Sequence, residues 1–176
     1  MKFTFFLFLI ALVGFRSPLH AGEATLYAVH GIPGTALGAQ TTDLPVDVSV
    51  NGTCVGALNG LNFGEIRGPL ALTAPASYTV EIKPANALSP CSNPTLLSTQ
   101  AALVPGSNVS LVAHLSAAGT PMLTAFANDN SSTRQGQGRF VLQHAAQAPT
   151  VDVRLFRGDG VGKSPAAEVP GFANGA

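Results

Sequence analysis

The chain has 176 residues, with nine Lys and Arg against nine Asp and Glu, four His, two Cys and no Trp; only 10% of its residues are charged. So sparse and balanced a charge excludes the electrostatic footprint of a nucleic-acid binder and disfavours attraction to acidic membrane surfaces. At this length one domain with a real hydrophobic core is expected.

Residues 1–21 read as a secretory signal peptide. Lys2 precedes a largely apolar run from Phe3 to Phe15, and a short polar stretch ends in the small residue Ala21, after which cleavage is expected. The apolar part is too short to cross a membrane comfortably, and no later segment is long and apolar enough to do so. The first cysteine after this run is Cys54, so a lipid-anchoring cysteine is not expected. The mature chain is therefore expected in the periplasm or secreted. Without Lys2 and Arg16 it carries seven basic and nine acidic residues, a formal charge of −2.

The rest of the chain lacks helical periodicity. Short β-branched and aromatic runs recur, separated by Gly, Pro, Asn and Ser. "ATLYAVH" comes first. "VDVSVNGTCV" reads as a strand, an Asn51-Gly52 tight turn and a return strand, because Asn-Gly accepts the positive φ angles of a two-residue hairpin. The segment 59–69, "NGLNFGEIRGP", is expected to be a long loop. "SYTVEIK" sets Tyr78, Val80 and Ile82 on one side and Thr79, Glu81 and Lys83 on the other, the alternation of a strand with one wet face. A second long loop is expected over residues 84–94, "PANALSPCSNP". "NVSLVAHL", "PMLTAFAND", "GRFVLQH" and "VDVRLF" complete the strands, with His114 expected at an edge or on a wet face. Residues 159–176 lack alternation and are expected to form a flexible tail.

Seven to nine strands without a long amphipathic helix favour an all-β, two-sheet antiparallel sandwich over residues 22–158. The cysteines, Cys54 and Cys91, are expected to form one disulfide that pins the second loop to the hairpin. A metal site there would need more thiols or a neighbouring histidine.

One phrase occurs twice. "HGIPG", a stretch of turn residues and "PVDVSVNG" run from His30 to Gly52; "HAAQAPTVDVRLFRG" runs from His144 to Gly158. Aligning His30 with His144 and Asp47 with Asp152 leaves nine extra residues in the first copy, an inserted loop. Together with "LALTAPASYTVEI" and "LVPGSNVSLVAHL", these phrases resemble a bacterial secreted family, the domain of unknown function 4397. The resemblance spans roughly Ala24 to Gly158. It implies an immunoglobulin-like β-sandwich with the histidine phrase at both ends, and it implies no catalytic residues. The first histidine turn is longer here than the family's usual one, so that corner is expected to be built differently. The two copies are expected to bring the outermost segments of the chain into one common core.

Two readings of the repeated residues compete. In one, His30, Asp47, His144 and Asp152 converge as a zinc or copper site, or serve a hydrolase. In the other, each imidazole donates a ring N–H to a loop carbonyl and each carboxylate accepts backbone N–H groups, since buried polar groups are normally satisfied locally. The second is preferred, with no cofactor and no enzymatic activity. "RGDGVGKS" fails as a phosphate-binding loop, because Arg157 stands where Gly is needed and no helix is predicted after it. Arg157-Gly158-Asp159 is an adhesion tripeptide of low specificity. No Gly-x-Ser-x-Gly occurs. The expectation is a non-catalytic structural or binding module at the cell surface or in the periplasm. Its partner, a protein or cell-envelope ligand, would meet end loops such as Gly34 to Leu44 and Asn59 to Gly68.

Overall fold

The computed structural model describes residues 22–158 and 164–176; the signal-peptide segment 1–21 and residues 159–163, with Asp159 of the tripeptide and most of the "GDGVGK" string, lie outside the described residues. Ten strands occur among them: β1 (Gly22–His30), β2 (Val46–Val50), β3 (Thr53–Cys54), β4 (Ile66–Ala74), β5 (Ala76–Pro84), β6 (Leu97–Leu103), β7 (Asn108–Leu115), β8 (Pro121–Ala127), β9 (Val151–Leu155) and β10 (Ala167–Phe172). One sheet has the order β4-β1-β7-β8, and the other β3-β2-β5-β6. The result is an all-β, immunoglobulin-like sandwich in which every ladder is antiparallel except β1 with β7.

The alternation of β1 and β5 sets the core. Ala24, Leu26, Ala28 and His30 are buried while the residues between them are not, and Val80 and Ile82 face them from the second sheet with Val46, Val48 and Val50. Burying each Leu, Ile or Val removes apolar area worth roughly 2 kcal/mol. β2 is buried on both faces: its second face carries Asp47 and Ser49, and the Ser49 hydroxyl donates to Glu81 at 2.8 Å. The β2–β3 turn is at Asn51 (φ 49°) and Gly52 (φ 77°), the left-handed pair that "NG" predicts.

Several expectations need correction. Residues 59–69 are not all loop, because β4 starts at Ile66. Its Gly68-Pro69 would break a central strand, but β4 is an edge strand and the pair sits beside a register shift in the β1 ladder. His114 is fully buried on β7, which lies between β1 and β8, with the Phe126 ring of β8 beside it at 6.2 Å between centroids. Its Nδ1–H donates to the Leu115 carbonyl at 3.1 Å, and Nε2 accepts from the Thr124 hydroxyl at 2.8 Å. "GRFVLQH" forms no strand, having no ladder partner among the described residues.

The segment read as a tail also contains β10, which pairs with β9. Val169 and Phe172 lie opposite Val153 and Val151, and Pro170 falls where the register shifts, so its missing N–H costs no ladder bond. Finally, the two phrases do not share a core. Among the described residues the main core ends with β7 and β8, and β9 and β10 make a separate two-stranded sheet. Residues beside it hydrogen-bond to the sandwich: Asn174 donates to the Leu115 carbonyl and Gln143 to Asn128.

Candidate functional site

β1 ends at His30, where the chain leaves the sheet through the inserted loop and a 3-10 turn at Gly34–Leu37. The loop returns at Leu44, and the His30 ring meets its carbonyl at Nε2, 2.9 Å away. A carbonyl only accepts, so Nε2 carries the proton, while Nδ1 is buried without a hydrogen-bond partner among the described residues. The main chain of His30 is held as well, its N–H donating to Glu65 and its carbonyl accepting from Gly64. One residue thereby fixes the end of β1, the return of the loop and the approach to β4.

Asp47 performs the matching task on β2. Only 2% exposed, it accepts Gly60 N–H at Oδ1 (3.0 Å), and Asn86 and Cys91 N–H at Oδ2 (3.1 and 2.9 Å). Burial alone would raise its pKa, but the N–H groups of Cys91, Asn86 and Gly60 outweigh that and hold the carboxyl below its ordinary value. The same loops are fastened again. Cys54 and Cys91 form the disulfide, with Cα atoms 5.8 Å apart. Arg67 donates to the carbonyls of Asn59 and Gly60 and pairs with Glu65, whose carboxylate also accepts Asn62 N–H at 2.8 Å.

Between these loops lies a cleft of about 590 Å³, walled by Leu44, Pro45, Asn59 and Asn62 on one side and by Pro84, Asn86 and Ala87 on the other, with Asp47 beneath. Amides and prolines dominate its lining. The carboxylate at its base is already engaged by three N–H donors, so it offers little for proton transfer or cation capture. Of the loops expected to meet a partner, Asn59 to Gly68 supplies one wall, whereas Gly34 to Leu44 reaches the cleft only at Leu44.

The second copy, His144 and Asp152, lies in the β9–β10 corner. His144 Nε2 meets the Pro149 carbonyl at 3.1 Å, and Asp152 accepts Gly171 N–H at 2.8 Å. The insertion in the first corner loops out and leaves the histidine contact the same as in the second. Each His and Asp has its partner within its own corner. Among the described residues no group of three or more His, Cys, Asp or Glu is placed to hold a metal ion. Arg67, Glu65 and Asn86 were not legible as site residues. Their one signal was position, inside two segments whose Gly, Pro and Asn content marked them as loops.

No curated protein matches the chain. The sequence model of the family described as "Domain of unknown function (DUF4397)" matches residues 24–154. With the sandwich framed by its histidine corner and most of its length matched, the chain belongs to the DUF4397 family.

Proposed function

We propose that the protein is an exported, non-catalytic binding module, working in the periplasm or at the cell surface, whose ligand seats in the cleft over Asp47. The observation that carries this reading is that both cleft walls are held by one carboxylate and each is fastened a second time, the Asn86 side by the disulfide at Cys91 and the Asn59 side by Arg67. Such fixing costs nothing further when a ligand arrives, so affinity is not spent on ordering loops. The disulfide fits an oxidising compartment. The lining amides, prolines and alanines carry no free charge, which suits a neutral ligand such as an uncharged cell-envelope polysaccharide.

Ala87 lines the cleft and holds none of its loops. In a pelleting assay with insoluble cell-envelope polysaccharide, Ala87→Arg is expected to weaken retention at least tenfold, with the melting temperature unchanged. Retention equal to that of the unaltered protein would remove the cleft from consideration, and failure of both proteins to pellet would remove this ligand class.

A further inference from the structure

The second corner reproduces the backbone contacts of the first. His30 N–H donates to Glu65 and Gly64 N–H to the His30 carbonyl; His144 N–H donates to Ala176 and Gly175 N–H to the His144 carbonyl. Val46 bridges Leu61 as Val151 bridges Phe172. The turn glycines agree in conformation, Gly60 with Gly171 (φ 61° and 64°) and Gly64 with Gly175 (φ 83° and 84°). Ala176 therefore occupies the place that Glu65 holds in the first corner.

Burial is where the copies differ. Leu26 is 1% exposed and its counterpart Phe140 78%; Val46 is 1% exposed and Val151 38%. Leu142, Val153 and Phe172, the counterparts of the buried Ala28, Val48 and Leu61, line an open and mostly apolar groove of about 340 Å³ beside His144. In the first corner this face is core, covered because β5 pairs with β2 while β4 and β7 flank β1. Among the described residues no strand does this for the second corner, and β9 pairs with β10 alone.

We propose that residues 138–158 and 164–176 form the opening corner of a second sandwich of the same fold, and that this groove seats strands of the β4–β8 kind supplied from outside residues 22–176. The first corner identifies the occupant, and the charges agree with it. In the β2 ladder Lys83 lies opposite Asp47 and Glu81 opposite Ser49. The second corner puts Asp152 and Arg154 at those two positions, so a strand with the pattern of β5 sets Lys against Asp and Glu against Arg. Opposite charges directly across a ladder are favourable, as are the apolar pairs on its other face.

The test is the full chain carrying a second copy of its own residues 66–128 joined after Ala176, which keeps the added strands at millimolar effective concentration. Backbone amide exchange at Leu142, Val153 and Leu155 is expected to slow at least 100-fold relative to the unextended chain. A Val153→Asp substitution in the extended chain is expected to restore fast exchange there and leave Val48 and Val50 as they were. Unchanged rates on extension would overturn the proposal. So would protection that survives Val153→Asp, or that a scrambled extension gives equally well.

Discussion

Asp47→Ala is expected to destabilise the protein by about 3 kcal/mol, because it leaves three backbone N–H groups without their acceptor and each such loss costs about 1 kcal/mol or more. Asp152→Ala is expected to cost less than about 1 kcal/mol, since that side chain is exposed and water replaces the lost bond. Urea denaturation of both variants makes the comparison. The effect has a pH signature. Because the folded-state pKa of Asp47 lies below its ordinary value of 3.8, the stabilisation is full above that value and is lost as pH falls through the lowered one. Below about pH 4 the difference between the unaltered protein and Asp47→Ala should therefore shrink. A difference that grows with acidity, or a small effect at neutral pH, would show that the loops are held by something else.

Converting both cysteines to serine is expected to cost about 4 kcal/mol, from the chain entropy of a loop closed across 37 residues. The bridge and the carboxylate act on the same loop, since Cys91 supplies both a sulfur and an N–H. The two losses should therefore be less than additive. Adding reductant to the unaltered protein should reproduce the double-serine midpoint in a denaturation curve. Cleft binding should weaken under the same conditions.

What could be read from the residues was local. Asn51-Gly52 marked its hairpin because few residue pairs accept that backbone, and "SYTVEIK" marked β5 because one of its faces is wet. The Cys54–Cys91 bridge was expected from an isolated pair in a chain with an expected signal peptide. What could not be read depended on partners. β6, "LSTQAAL", has only small and polar residues between its two leucines, and its strand conformation comes from pairing with β5. The parallel pairing of β1 with β7 joins segments about eighty residues apart and leaves no local mark. "GRFVLQH" has the pattern of a strand and forms none, since a ladder needs a neighbour. The repeated phrase was legible as a corner with polar fastenings. Its place in the molecule was not, because both copies make the same histidine and turn contacts, and only the segments packed around them, which give Asp47 the further N–H groups of Asn86 and Cys91, tell buried from exposed.

The central claim is that both repeated histidines are framework residues whose Nε2–H is committed to a loop carbonyl. Long-range proton–nitrogen correlation spectra of the imidazole rings test it most directly, recorded at mildly alkaline pH with and without one equivalent of Zn²⁺. The expected result is a proton on Nε2 of both His30 and His144, with ring signals that zinc does not move. A proton on Nδ1 in either ring, or ring signals that shift together to saturation at one zinc per chain, would contradict it.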